Sequence, residues 1–321
     1  MNALTLKPIL KLPASITKSA SLQTFYTIRL LSDRGRVHDA YRAYAYFRWV
    51  DNCLDAEIPF GDDTGTDPER SAFILRQKSL LDDCYTGRAT ANVNPQERML
   101  VELVQNNPPK NSGLHSYLHN MMTVMAFDSD RRGRLISQAE LKVYTHWLAS
   151  AVTEAMHFFI GHDCYSPRDD TRYLAVSAAH ITHMLRDTVD DIQAGYFNIP
   201  RETLETKHIT PQDIGSDAYR AWVQTRVQLA RRYFRAGRDY MNRVANPRCR
   251  LAGFAYMARF EWLLDTFEHE GFYLRPAYEE RKSFEKGLQM AWLALTSTLN
   301  SNRGYIPTQP VAARSRPERR S

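Results

Sequence analysis

The chain has 321 residues, of which 43% are hydrophobic and 24% charged, and its formal net charge is +6. This composition is ordinary for a soluble globular protein and supplies enough apolar side chains for a large core. No apolar stretch approaches the roughly 20 residues that a membrane-spanning helix needs. The four cysteines form no CxxC pair, so neither a zinc site nor a disulfide framework is expected.

The two ends of the chain bear on its location. Residues 1–20 lack the unbroken apolar core of a secretory signal and are interpreted as an N-terminal extension. Residues 304–321 are rich in arginine and are expected to form a basic, disordered tail. A cytoplasmic location is expected, with peripheral association with an anionic membrane as an open alternative. No nucleic-acid-binding motif is present, so nucleic acid is not expected as a partner, and the oligomeric state is left open.

Apolar residues recur with helical periodicity almost throughout, which predicts an all-α fold. The predicted helices cover residues 33–57, 68–86, 95–106, 112–127, 138–162, 171–195, 212–245, 247–270 and 277–301. No glycine- or proline-rich linker divides the chain, so residues 21–303 are expected to form one helical domain.

Several of these helix starts are marked by capping residues. Ser137 and Glu140 have the spacing of a capping box. A polar residue followed by proline, a pattern typical of a helix N-terminus, occurs at 67–68, 94–95, 210–211 and 246–247.

A first pair of aspartates, Asp51 and Asp55, lies four residues apart and therefore on one helix face, which Tyr44 and Arg48 continue. Two carboxylates that face a core are costly to bury unless a cation compensates them. Mg²⁺ is often held by one or two carboxylates together with substrate phosphate oxygens. An arginine such as Arg48 can bind a diphosphate through two hydrogen bonds. The alternative is a solvated face with an Arg48–Asp51 ion pair.

The same arrangement recurs in a second segment, where Asp187 and Asp191 are four residues apart and Arg186 is adjacent. His180 and His183 lie one and two turns earlier, either as packed histidines or as contacts to metal or diphosphate. Two DxxxD pairs on separate helices predict a site where several Mg²⁺ ions hold one or two diphosphates. The metal ions would offset the charge of the leaving group.

These motifs, in this order, resemble those of the squalene/phytoene synthase family. The resemblance extends over residues 21–275. AYRAYAYFRWVDNCLD is similar to the first aspartate motif of the family, and LRDTVDD to the second. The segment from Thr24 to Arg29 resembles the family's opening segment, and Met125 to Asp128 resembles its MxxD element.

The resemblance implies an all-α isoprenoid-synthase fold, three Mg²⁺ ions and a head-to-head condensation of two farnesyl or geranylgeranyl diphosphates, with the use of NADPH left open. The metal ligands that it implies, with His183 as a further candidate, are Asp51, Asp55, Asp187 and Asp191. Residues implied to contact the diphosphate or the reacting groups are Tyr44, Arg48, Arg186, Arg29 and Thr24.

The sequence departs from the family pattern at several positions. His180 and His183 stand where the family has glutamine and asparagine, and Tyr196-Phe-Asn198 stands in place of its Arg-x-Tyr. Phe260 replaces a tyrosine, and Gln23 replaces a basic residue.

Two alternatives follow from these departures. The first is a class I terpene synthase that cyclises a single diphosphate on the same fold, which the carbon number of the product would distinguish. The second is a non-catalytic partner or assembly protein, against which the four intact aspartates argue.

Overall fold

The computed structural model describes residues 3–55, 68–88, 92–107 and 112–278, and within these ranges it contains eleven α-helices and no strand. The all-α prediction is therefore confirmed. The helices are α1 (Ala3–Ala20), α2 (Leu22–Leu31), α3 (Val37–Asp55), α4 (Pro68–Thr86), α5 (Pro95–Asn106), α6 (Gly113–Arg131), α7 (Gln138–Phe159), α8 (Leu174–Gln193), α9 (Arg201–Lys207), α10 (Asp217–Arg243) and α11 (Pro247–His269). None of the described helices has both the length and the apolarity to cross a bilayer.

Eight of the predicted helices occur close to their expected bounds, as α3 to α8, α10 and α11. Three short or N-terminal helices, α1, α2 and α9, were not predicted. The predicted helix at 277–301 and the tail at 304–321 lie outside the described residues, apart from the first two positions of that helix, which are not helical.

Local capping explains where several of these helices begin. Asn94 accepts hydrogen bonds from the backbone of residues 96 and 97, and Glu97 bonds back to it, which forms a capping box on α5. Ser137 and Glu140 form the predicted capping box on α7. Asn246 caps α11 ahead of its first-turn proline, also as predicted.

The predicted start of α10 at residues 210–211 is wrong. Asp213 accepts hydrogen bonds from the backbone and the hydroxyl group of Thr210, at 2.7 and 2.9 Å, and this contact closes a turn instead of a helix. The helix begins six residues later, where Ser216 caps the backbone of Tyr219.

The helices pack around a central cavity of about 370 Å³, whose lining comes from α2, α3, α6, α7, α8, α10 and α11. Helices α8 and α10 lie close together at Gly237. A Cβ atom at that position would lie 2.6 Å from the Cβ atom of Ala175. The absence of a side chain at Gly237 therefore sets the position of α8, which carries the second aspartate pair.

Candidate active site

The first aspartate pair lies in the last two turns of α3. Arg48 Nη1 donates to Asp51 Oδ2 at 2.9 Å, and both side chains are partly exposed. Desolvation and the nearby carboxylate of Asp55 raise the pKa of Asp51 to about 6. The two carboxylates therefore repel each other, and the single ion pair with Arg48 does not offset that repulsion.

The second pair lies at the same end of α8, and here Asp187 has close partners. Arg186 donates to both of its oxygens, from Nε and Nη2, each at 2.5 Å. His183 Nδ1 lies 3.3 Å from Asp187 Oδ2, and His183 Nε2 lies 2.7 Å from Arg186 Nη2. Asp187, Arg186 and His183 therefore form one cluster beside the cavity.

Asp191 is held by a residue that follows its helix. Asn198 Nδ2 donates to Asp191 Oδ2 at 2.5 Å, while Asn198 Oδ1 accepts from Arg131 Nη1 at 3.0 Å. Desolvation raises the pKa of Asp191 to about 6, and the charges of Asp187 and Asp128 contribute. The asparagine that departs from the family pattern thus orients one carboxylate of the predicted site.

Asp128, on α6, connects the two pairs and was absent from the predicted site residues. Tyr144 donates its hydroxyl group to the carboxylate at 2.9 and 3.0 Å, and Arg131 donates at 2.7 Å. Burial nevertheless raises the pKa of Asp128, and the charge of Asp55 adds to this effect. Its charge in turn raises the pKa values of Asp51 and Asp191. The only signal for it in the sequence was the MxxD resemblance.

The structure therefore brings five aspartates into one region between α3, α6 and α8. All of them lie in the last two turns of their helices. The helix dipole places partial negative charge at that end, which disfavours carboxylates and favours a cation. The region has the electrostatic character of a cation site.

A magnesium ion fits this donor set. Carboxylate oxygens are the ligands that Mg²⁺ prefers, and it usually keeps waters and substrate phosphates as further ligands. Among the described residues, no group of three His, Cys, Asp or Glu side chains converges tightly enough to hold an ion without such additional ligands. Asp187 would also have to share its oxygens with Arg186 to serve as a ligand.

Two arginines near the cavity have hydrogen-bonding capacity or charge that no carboxylate among the described residues takes up. Arg186 Nη1 is buried without a hydrogen-bond partner. Arg259, on α11, lines the cavity, and its pKa is lowered by desolvation and by the nearby charge of Arg186. Tyr44 is close enough to Arg259 to affect the same pKa. Arg259, which forms no ion pair among the described residues, and the unpartnered Nη1 of Arg186 could therefore both bind an anion, and Arg259 was not predicted.

The two remaining predicted diphosphate contacts are placed differently. Thr24 lines the central cavity from α2, and its backbone amide is capped by Ser21. Arg29 is exposed at the end of α2 and does not line the cavity. Its positive charge acts on Tyr41 of α3, where it opposes the rise in pKa that burial causes.

The two histidines that precede the second motif occupy different environments. His180 is 6% exposed, packs edge-on against Tyr144 with ring centroids 4.9 Å apart, and lies 3.2 Å from the hydroxyl oxygen of Thr145. Burial lowers its pKa to about 3. His183 is half exposed and contacts Asp187. Of the two, only His183 contacts a carboxylate of the predicted metal site.

A helical bundle around an apolar cavity, with two aspartate pairs on separate helices, defines the isoprenoid-synthase class of fold. Solved structures support this assignment of the fold. The squalene synthase HpnC from Alicyclobacillus acidocaldarius matches with a TM-score of 0.64 at 20% sequence identity, covering 85% of this chain and 98% of that one. A dehydrosqualene synthase in complex with a ligand matches with a TM-score of 0.68 at 15% identity, covering 93% and 98%. TcSQS with a bound ligand gives 0.62 at 14%, covering 94% of both chains.

Sequence comparison supplies the family. The family model described as squalene/phytoene synthase matches residues 18–283. No curated protein sequence matches the chain. The chain belongs to the squalene/phytoene synthase family, and this membership indicates an enzyme that transfers prenyl groups.

Proposed function

We propose that this protein is a magnesium-dependent prenyltransferase that condenses two allylic isoprenoid diphosphates head to head. Farnesyl and geranylgeranyl diphosphate are the proposed substrates. The apolar walls of the central cavity suit a prenyl chain, since they consist mainly of alanine, methionine, valine and aromatic side chains.

The observation that carries this proposal is the proximity of two clusters of like charge whose ion pairs compensate them only in part. On one side, the carboxylates of Asp51, Asp128 and Asp191 have raised pKa values because they are buried near one another. On the other side, the charge of Arg186 lowers the pKa of Arg259, which has no carboxylate partner among the described residues. A magnesium diphosphate supplies the missing charge to both clusters at once.

Each side chain then has a defined task. Asp51, Asp55, Asp187 and Asp191 would hold the metal ions, three by analogy with the family. Asp128 would strengthen the field that attracts them. Bound Mg²⁺ would neutralise the charge that develops on the diphosphate as the allylic C–O bond breaks.

The arginines and tyrosines act on the diphosphate and the carbocation. Arg186 would donate its unpartnered Nη1 to a diphosphate oxygen, with Arg259 and Arg48 adding further positive charge. Tyr44 and Tyr117 line the cavity, where their π-faces would stabilise the allylic cation.

A class I terpene synthase that cyclises a single diphosphate is the second candidate. The volume of the central cavity, about 370 Å³, favours it, because this value lies near the lower end of the range for ligand pockets. Two long prenyl chains would require the cavity to widen.

Product analysis separates the two candidates. The purified protein is incubated with Mg²⁺ and geranyl, farnesyl or geranylgeranyl diphosphate, with and without NADPH, and the organic extract is analysed by GC–MS. A hydrocarbon with twice the carbon number of the substrate supports head-to-head condensation. A product of unchanged carbon number supports the terpene synthase. No product from any substrate would refute both and favour a non-catalytic partner protein.

Matched variants link the products to the proposed site. Asp51→Asn and Asp187→Asn are expected to abolish magnesium-dependent release of diphosphate. Asp239→Asn makes the same chemical change at an exposed position on α10 and should retain activity. Undiminished release from both site variants would contradict the proposed roles of these aspartates.

A further inference from the structure

A second cavity, of about 640 Å³, lies between α7, α8, α10 and the segment that precedes α8. We call it the outer cavity. Its lining includes none of the aspartates or arginines of the proposed active site. Arg172, which is bonded to Glu154, lines both cavities. Its volume falls within the range of ordinary small-molecule sites.

Arg226 gives this cavity its chemical character. It is partly buried on α10, and among the described residues it forms no ion pair or hydrogen bond. Desolvation lowers its pKa, and only the hydroxyl group of Tyr233 opposes that effect. In the described part of the chain, Arg226 and Arg259 are the two arginines whose pKa is lowered, whereas carboxylates raise the pKa of others such as Arg172. Because Arg226 lines the outer cavity without a carboxylate or hydrogen-bond partner among the described residues, an anion in this cavity could pair with it.

The other charged groups of the outer cavity add to this positive field. Glu154 is neutralised by Arg172, and Asp169 by Arg243. The three cations left without an ion pair in the described structure are Lys142, Arg168 and Arg226, and the one carboxylate left without a partner is that of Asp170. Three positive charges and one negative charge give a balance of +2, which matches a phosphate monoester near neutral pH.

The wall between these charges is apolar. Its apolar lining comes from three helices and consists of Leu141 on α7, Leu174 and Ile181 on α8, and Leu229 on α10. An inorganic phosphate would leave this surface in contact with water, whereas a hydrocarbon substituent would cover it.

We propose that the outer cavity binds a phosphate monoester that carries a hydrocarbon chain. The phosphate lies against Arg226, with Lys142 and Arg168 at the rim, and the chain lies along the leucine and isoleucine side chains. Such a monoester has two sources, a free prenyl or alkyl phosphate and the headgroup of phosphatidic acid in a membrane. This site is independent of the proposed catalytic function.

The test measures binding of decyl phosphate by calorimetry. EDTA is present to remove metal, and the protein carries Arg259→Gln so that the central cavity contributes little. One equivalent is expected to bind. Adding Arg226→Gln should weaken binding about tenfold or more, since charged hydrogen bonds are lost. Adding Arg235→Gln makes the same charge change at an exposed position on α10 outside the cavity, and should leave the affinity unchanged.

Two further variants separate a loss of binding from a loss of folding. Arg226→Gln should melt no lower than its parent, because it removes a partly buried charge that has no ionic partner among the described residues. Lys142→Ala, at the exposed rim, should weaken binding without affecting folding. The proposal would be overturned if Arg226→Gln bound decyl phosphate as tightly as its parent. It would also be overturned if Arg226→Gln and Arg235→Gln lost the same amount of affinity. Inorganic phosphate binding as tightly as decyl phosphate would overturn the role of the apolar wall.

The source of the ligand is distinguished with vesicles. Arg226-dependent sedimentation with phosphatidylcholine vesicles that contain phosphatidic acid supports a membrane headgroup. Binding of free decyl phosphate without such sedimentation supports a soluble monoester. Because metal and prenyl diphosphates are absent, failure of this proposal and failure of the proposed catalytic function are observed separately.

Discussion

Replacing Asp51 with asparagine is expected to stabilise the metal-free protein while removing its response to magnesium. Burial and the neighbouring carboxylate of Asp55 raise the pKa of Asp51 from 3.8 to about 6. A carboxyl group whose pKa is higher in the folded state destabilises that state once it ionises. Asparagine has nearly the same shape and no charge, so it removes this cost.

The magnitude follows from the pKa difference. A difference of about two pH units corresponds to about 3 kcal/mol. The side chain of Asp51 is 38% exposed, so screening by solvent reduces this figure, to ~1 kcal/mol. For a chain of 321 residues, that free energy corresponds to a rise of about 1–2 °C in the melting temperature.

The sign of the pH dependence provides the critical check. The destabilisation is fully present above pH 6, shrinks as the pH falls through 6, and is absent below about 3.8. The melting temperature of Asp51→Asn should therefore exceed that of the wild type at pH 8, and the two should converge toward pH 4.

Differential scanning fluorimetry measures both effects. With Mg²⁺ and inorganic diphosphate, the wild type should gain stability and the variant should gain little, since binding to the folded state raises its melting temperature. Asp239→Asn, at an exposed site, should behave like the wild type throughout. A variant that melts below the wild type at pH 8, or that responds equally to Mg²⁺ and diphosphate, would refute the reasoning.

Three further outcomes are expected. His180→Gln should lose less stability than the wild type as the pH falls from 7 to 5, because burial lowers the pKa of His180 to about 3 and folding therefore opposes its protonation. If melting temperatures measured over this pH range fell equally in both proteins, the prediction would be contradicted. Gly237→Ala should destabilise the protein by about 1–3 kcal/mol, because the added methyl group overlaps Ala175 on α8; urea denaturation would measure the loss, and adding Ala175→Gly should restore part of it. Arg259→Gln should weaken the binding of magnesium diphosphate about tenfold or more in calorimetry, and an unchanged affinity would exclude this arginine from the site.

Helix positions were largely predictable from the sequence, because apolar periodicity and capping are local properties. The capping boxes that begin α5 and α7 illustrate this. The missed helix α1 contains Pro8 and Pro13, which argue against a helix when the sequence is considered alone. Its packing against α3 is a tertiary contact that local sequence does not encode.

The aspartate pairs were predictable for the same reason. A spacing of four residues places Asp51 beside Asp55, and Asp187 beside Asp191, on any helix. Asp128 was harder to assign, because its partner Tyr144 and the aspartates that it affects, Asp51 and Asp191, lie on three other helices, α7, α3 and α8. Its role is apparent only when these helices pack together.

The sequence by itself determined the all-α fold and the two carboxylate pairs, since both depend on residues within one or two helical turns. The tertiary structure alone decided which charges lack a partner. In the sequence, Arg226 and Arg259 cannot be distinguished from Arg172. The packing of separate segments gives Arg172 its carboxylate, Glu154 on α7, and partly buries Arg226 and Arg259 without one, whereas Arg131 already has Asp128 one turn away on its own helix.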